Sequence, residues 1–162
     1  MSESREIVET YGTLVYGIAR ARTQSKEDAE DVFQEVFLTY VKKHPALPTT
    51  EAARAWFART TVHHCKTLWR TKGRHRTTSL DEMEEAGQEP GTDPIPEKDL
   101  TEDVRQAIEQ LPKKYRQVVM MYYYAGLSTE EMAPLLGISA NAVRIRLSRA
   151  RKHLAKGLGE PQ

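Results

Sequence analysis

The chain of 162 residues has a single cysteine, Cys65. One thiol cannot close an internal disulfide, so a disulfide-stapled scaffold is excluded. No apolar run approaches the roughly 20 residues of a membrane span. The opening residues, MSESREIVETYG, lack the apolar core of a signal peptide. Catalytic signatures are missing too: there is no nucleophile–base pattern, no glycine-rich phosphate loop and no spaced set of metal ligands. His63, His64 and Cys65 stand in a row, but adjacent residues on a helix point to different faces, so they cannot close one metal site. The expectation is a cytoplasmic protein without membrane insertion, cofactor or metal, and not an enzyme.

What is present is charge, and it is segregated. The formal net charge of +1 conceals blocks of one sign. Residues 52–80 hold seven Lys or Arg and no acid, and residues 81–103 hold ten acids and one lysine. Between Met132 and Gly159 there are six Lys or Arg and again no acid. Two basic blocks separated by an acidic bridge point to two contacts with one polyanion, an arrangement that charges scattered over a solvated surface do not produce easily.

Strand signals are weak and helical periodicity dominates. Ile7, Val8, Tyr11, Leu14, Val15 and Ile18 mark a first helix. Ser25 caps a second, with Asp28 at the capping-box position and an apolar stripe of Ala29, Val32, Phe33, Val36, Phe37 and Tyr40. The opposite face of that helix is acidic. Pro45 and Pro48 break the chain, and Thr50 starts a third long helix through Trp56, Phe57, Thr60, His64 and Leu68, with Trp56 read as core. Residues 77–98 carry three prolines, two glycines and many acids, the composition of a flexible linker with little to bury. Periodicity resumes at Leu100. Pro112 suits the first turn of a helix carrying Tyr115, Val118, Val119 and Tyr122. The expected fold is all-α, with two small helical domains, 1–76 and 99–158, joined by the acidic linker 77–98.

The most informative stretch is LSTEEMAPLLGISANAVRIRLSRARKHL, residues 127–154. Ser128 with Glu131 three residues on is a capping box, and Gly137 supplies a left-handed helix end. Ser139 caps a second helix whose Val143, Leu147, Ala150 and Leu154 repeat at helical spacing and should face the core. This is a helix-turn-helix with a basic second helix, a form suited to the major groove of DNA. Asn141, Arg144, Ile145 and Ser148 share one face and are the expected base readers. Arg144 can pair with guanine, and Ile145 can contact a thymine methyl. Arg146, Arg149, Arg151 and Lys152 are placed for phosphates. Pro134 should kink the first helix or stop it early.

Taken in order, three segments of the chain resemble the extracytoplasmic-function sigma factors of the sigma-70 family. SKEDAEDVFQEVFLTYVKKH resembles the helix that docks on the polymerase clamp. AWFARTTVHHCKTLWRTKGRHR resembles the promoter-melting, −10-recognising helix. LPKKYRQVVMMYYYAGLSTEEMAPLLGISANAVRIRLSRARKHL resembles the −35-binding domain. The resemblance implies a non-catalytic specificity subunit that binds bacterial core RNA polymerase, recognises −10 and −35 promoter elements and directs initiation. It implies Asp28, Asp31, Gln34 and Glu35 as contacts to the clamp coiled coil of the largest subunit, with the flap as a further polymerase contact. Arg59, His63, Lys66, Arg70, Lys72, Arg74 and Arg76 would serve the −10 element and melting. The loop Lys43–Thr49 would bound a pocket for an unstacked base. Where family members often carry Asn and Asp, this chain has His63 and Thr67, so its −10 preference is expected to differ. An anti-sigma factor is a further partner class that the resemblance brings. Two other readings explain less: a plain DNA-binding regulator leaves the basic Trp-bearing helix without a role, and a sigma-mimicking adaptor that binds an anti-sigma factor does not need two basic blocks.

Overall fold

A computed structural model of the chain describes residues 2–71 and 102–157. Among these residues there are helices and no strand, as the periodicity predicts. The linker 77–98 and the basic residues Lys72, Arg74 and Arg76 lie outside the described residues. The chain divides into two compact units, Met1–Thr77 with Tyr124–Gly126, and Thr78–Tyr123 with Leu127–Gln162.

The first unit is built from three long helices: α1 (Ser2–Arg22), α2 (Lys26–Lys43) and α3 (Thr50–Thr71). Each packs on the other two. The α1–α2 corner is fixed by side chains. Thr23 closes α1 by donating its buried hydroxyl to the Ala19 carbonyl at 2.7 Å. Ser25 then opens α2 by accepting the Asp28 N–H on Oγ at 3.0 Å. The core is Leu14, Val15 and Ile18 from α1, Val32 and Val36 from α2, and Phe57 and Val62 from α3. The predicted stripe of α1 is buried only toward its C-terminal half, since Val8 is 37% exposed.

Phe57 is the hub of this unit. Fully buried, it stacks on Tyr11 at 4.8 Å and touches Phe37 at 5.5 Å, Tyr40 at 5.6 Å and Trp56 at 4.9 Å between ring centroids. Burial of one such ring contributes roughly 1.5–3 kcal/mol, and each well-oriented aromatic pair about 0.5–1.5 kcal/mol more. Trp56 is half-buried against Tyr40 and Phe57, in line with its reading as core. The α3 cap is Thr49, one residue before the expected start: its hydroxyl accepts the Ala52 N–H at 3.0 Å.

The second unit has α4 (Glu102–Glu109), α5 (Lys113–Val119), a π-helical turn over Met120–Tyr124, α6 (Thr129–Leu136) and α7 (Ala140–Gly157). Helix α7 is packed by both α5 and α6, with α4 against it as well. Ile108, Val118, Met121, Met132, Leu136, Val143, Ile145 and Leu154 form the interior. The π turn was not expected; it widens the backbone spiral at the end of α5. Pro134 does not stop α6, which continues to Leu136 with the proline ring on the exposed side. The proline removes one helical donor, from a helix already held at both ends by caps.

Candidate nucleic-acid interface

On α2 the sequence-expected acidic face divides. Asp31, Gln34 and Glu35 are exposed, together with Glu27 and Glu30. Asp28 is not: it is 6% exposed. It is the third helical residue, and Ala29 and Val32 beside it are turned into the core, so the helix carries Asp28 inward with them. Its placement on the outer acidic face is therefore corrected. Phe33 and Phe37 face inward, ring against ring at 4.9 Å, with Phe33 also on Tyr16.

On α3, Arg59, His63, Lys66 and Arg70 are all exposed. Their spacing of four, three and four residues places them on one side of the helix. The other side, Ala53, Phe57, Thr61, Val62 and Cys65, is buried. Cys65 is a packing residue. Burial pushes its thiol up to about 12, in spite of the Arg22 charge acting the other way. His64 takes a different direction from its neighbour His63. Its Nε2 lies 2.9 Å from the Thr39 hydroxyl, which itself donates to the Glu35 carbonyl at 2.8 Å, so the ring ties α3 to α2 as the donor. Burial, then the charge of His63, holds His64 below the usual imidazole range, with Glu35 opposing. The loop after α2 leaves through His44, whose φ of 46° is left-handed and whose N–H bonds the Tyr40 carbonyl.

The helix-turn-helix follows the sequence closely. The Glu131 N–H donates to Ser128 Oγ at 3.0 Å, and the Ser128 N–H to Glu131 Oε1 at 2.9 Å, the reciprocal capping box. Gly137 ends α6 at φ 73°, and the N–H groups of Gly137 and Ile138 both bond the Ala133 carbonyl. Ser139 Oγ accepts the Ala142 N–H at 3.0 Å and opens α7.

With about 100° between successive residues, Asn141, Arg144, Ser148, Arg151 and Lys152 occupy roughly a quarter to a third of the α7 circumference and form its outward face. Arg144 and Lys152 are exposed, while Asn141, Ser148, Arg149 and Arg151 are half-buried. Two expected site residues do not belong there. Ile145 is 3% exposed and Arg146 is 4% exposed. The reason is that α7 is covered from two sides, by α5 and α6, so its buried arc takes in Ala142, Val143, Ile145, Arg146, Ala150 and Leu154, about half the circumference. Ile145 is core rather than a thymine contact, and Arg146 is an interior cation rather than a phosphate contact. Leu147, expected in the core, is half-buried.

Arg144 is not loose on that outward face. Its Nη1 donates to Thr129 Oγ1 and to Glu130 Oε2, both at 3.2 Å, and Thr129 in turn donates to Glu130 Oε1 at 3.1 Å. The Glu130 carboxyl is held below the usual carboxylate range by its own backbone N–H first, then by the Thr129 hydroxyl and Arg144. Sequence reading missed Thr129 and Glu130. Their signal was available, since both sit in the first turn of the helix that precedes Arg144 across a tight corner. Among the described residues no group of acids, histidines and cysteine is placed to hold a metal ion, and no helix is long and apolar enough to cross a membrane.

Comparison with known proteins finds family models in two stretches of the chain. Residues 7–75 match the family model for sigma-70 region 2, and residues 101–154 match that for sigma-70 region 4. The chain belongs to the sigma-70 family. Among its sigma-70 relatives, it is 31% identical over 155 residues to the extracytoplasmic-function RNA polymerase sigma factor SigE of Mycolicibacterium smegmatis, covering 92% of this chain and 59% of the relative. It is 32% identical over 151 residues to the probable RNA polymerase sigma factor RfaY of Xanthomonas campestris pv. campestris, covering 90% and 38% respectively. SigM of Mycobacterium tuberculosis is 27% identical over 145 residues, covering 90% of this chain and 71% of the relative. The chain thus spans less than two thirds of the length of SigE and of RfaY. These relatives place it in the extracytoplasmic-function branch of sigma-70. In fold it resembles the sigma factor RpoE of Bartonella quintana, solved in complex with the anti-sigma factor NepR, with a TM-score of 0.66 at 17% identity over the whole of both chains. CnrH, solved with the cytosolic domain of CnrY, gives a TM-score of 0.58 at 23% identity, covering 96% of this chain and 87% of that one.

Proposed function

We propose that the chain is a promoter-specificity subunit, acting in the bacterial cytoplasm and performing no covalent chemistry. Its first domain, 1–76, docks on the clamp coiled coil of core RNA polymerase through Asp31, Gln34 and Glu35, and lays the α3 stripe Arg59, His63, Lys66 and Arg70 along the −10 region. Its second domain, 99–158, contacts the flap and reads the −35 element with the outward face of α7, the acidic segment 77–98 linking the two. The observation that carries the reading is the pairing, in one chain and in family order, of an exposed cationic stripe on α3 with a capped helix-turn-helix whose Arg144 faces outward. Arg144 supplies sequence discrimination, and a good bidentate pair to guanine is worth roughly 1–3 kcal/mol against the wrong base. The phosphate contacts of α3 and of Arg151 and Lys152 supply sequence-independent affinity that falls with salt.

The α3 stripe suits capture of an opened strand, where charge follows the backbone and the neighbouring loop receives a base. His63 stands where the family often has Asn, and an imidazole offers one donor and one acceptor rather than a paired amide, so the −10 preference of this chain differs from that of its Asn-bearing relatives. An anti-sigma factor is the expected regulatory partner, a reading supported by the RpoE–NepR complex. The deciding experiment is run-off transcription with purified chain and core polymerase on a library of promoters. Promoter-dependent transcripts are expected. Their absence, with the chain folded, would leave the adaptor reading in possession, and retention of an anti-sigma factor without core polymerase would then be the result to look for.

A further inference from the structure

Helix α7 carries no acid of its own, yet its exposed Arg144 sits against a carboxylate. That carboxylate comes from α6, which packs on α7. Thr129 and Glu130 are the first two residues of α6. Their backbone is fixed on both sides by the capping box, Ser128 before and Glu131 after. The box uses the Glu131 carboxylate, so that of Glu130 is not needed for the cap. It closes instead a ring of three side chains. Thr129 donates to Glu130 Oε1 at 3.1 Å, and Arg144 Nη1 donates to Thr129 Oγ1 and to Glu130 Oε2, both at 3.2 Å. The Arg144 and Glu130 side chains are 43% and 72% exposed, so solvent screens their attraction and the pair adds little stability. A guanidinium carries five N–H groups. Two of them are on Nη1, which meets two acceptors here. Among the described residues Nε and Nη2 have no hydrogen-bond partner. That edge is the pair of parallel donors that fits O6 and N7 of guanine.

We propose that Thr129 and Glu130 are positioning residues for Arg144: they hold its guanidinium by one nitrogen and leave the other edge for a single guanine of the −35 element. Charge favours this over a role in affinity. A carboxylate on a DNA-facing surface repels phosphates and weakens binding to every sequence alike. It also offsets the charge by which Arg144 would hold a phosphate. What the pair supplies is restriction. An arginine free to swing can satisfy its donors on a phosphate or on the wrong base. Held at Nη1 it cannot, so a mismatched base leaves donors unpaired and discrimination rises. Thr129 and Glu130 thereby set how strictly α7 reads one position without touching DNA themselves.

This assignment rests on α7 reading the −35 element. It is tested with the full chain bound to core polymerase, by measuring affinity for promoters that carry each base at each −35 position. Arg144→Ala identifies the base pair that Arg144 reads, as a loss of roughly five- to hundredfold preference there. The Thr129→Val/Glu130→Ala double variant, which leaves the capping box intact, should lose severalfold preference at that same base pair. Its affinity for random-sequence duplex should hold or rise, since one negative charge is gone. Glu130→Gln, which keeps an acceptor, should retain more of the preference than the double variant. Added to Arg144→Ala, the two substitutions should change base preference no further. A preference unaltered in the double variant overturns the proposal. So does an equal loss of affinity for all sequences, which marks a structural role. A further change of preference in the Arg144→Ala background assigns Glu130 to a base of its own, such as the N4 donor of cytosine, and overturns the proposal as well. A wild-type complex without any −35 preference is the failure of the promoter-specificity reading, and takes this inference with it; it is distinct from the other outcomes because it appears before any substitution is made.

Discussion

Replacing Ile145 by alanine distinguishes a residue that reads DNA from one that holds the fold. Ile145 is 3% exposed in the second unit. The substitution removes roughly three carbon groups, each worth about 0.8 kcal/mol of burial, and the cavity left behind raises the loss to about 2–5 kcal/mol. A unit of this size has a total stability on the order of 3–8 kcal/mol, so the loss is a large share of it. At about 4–8 °C per kcal/mol for a small domain, the melting midpoint should fall by ten degrees or more. The chain offers a built-in control. Both tryptophans, Trp56 and Trp69, lie on α3 of the first unit. Far-ultraviolet circular dichroism follows both units, while tryptophan emission follows the first. The helical signal should therefore lose an early fraction, and the −35 base preference of the folded protein should stay as it was. A variant as stable as wild type that tolerates a different base in the −35 element would refute the burial argument and restore Ile145 as a contact to thymine.

Three other outcomes are expected. Cys65, with its thiol pushed up to about 12, should resist alkylation at mildly alkaline pH in the native state and react on unfolding. Because its folded value lies above its unfolded one, its contribution is intact below about pH 9 and is lost as pH rises toward 12, at up to about 1.4 kcal/mol per pH unit; Cys65→Ala should flatten that part of the stability profile. His64 runs in the opposite direction. Its folded value is lowered, so the folded state takes up a proton less readily than the unfolded chain, and the first unit should weaken as pH falls below the ordinary imidazole range, an effect that thermal melts followed by tryptophan emission should lose in His64→Gln. Ser128→Ala removes the cap of α6 and should cost about 1 kcal/mol, read as a lower urea midpoint with an unchanged m-value.

Much of this architecture was legible because it is local. Ser25, Ser128, Glu131, Gly137 and Ser139 act on backbone groups two to four residues away, and that spacing is written directly in the sequence. The α3 stripe was legible for the same reason, since residues 59, 63, 66 and 70 share a helix face wherever the helix goes. What sequence could not supply is how many neighbours a helix has. Periodicity finds the centre of a buried face, not its width. Helix α7 meets both α5 and α6, so Ile145 and Arg146, at the margins of a single stripe, fall inside a two-sided packing. Asp28 failed similarly: an acid in a first turn is commonly solvated, and only the α1–α2 corner turns this one inward. The π turn at Met120–Tyr124 also left no mark in the spacing. Of the two effects expected of Pro134, the early stop does not occur: α6, with a capping box at one end and a glycine at the other, runs on to Leu136.

The loop between α2 and α3 is short of freedom before anything meets it. His44 is held left-handed with its N–H on the Tyr40 carbonyl, Pro45 and Pro48 have φ set by their rings, and Thr49 is committed to capping α3. Ordering a backbone residue costs roughly 1–2 kcal/mol of entropy, and in this loop that ordering takes place when the first unit folds, not when a ligand arrives. A base received here would therefore meet a surface already in shape, and its residence would depend on contact chemistry alone. Glycine in place of Pro45 and Pro48 should weaken any base binding there by returning the ordering cost to the binding step.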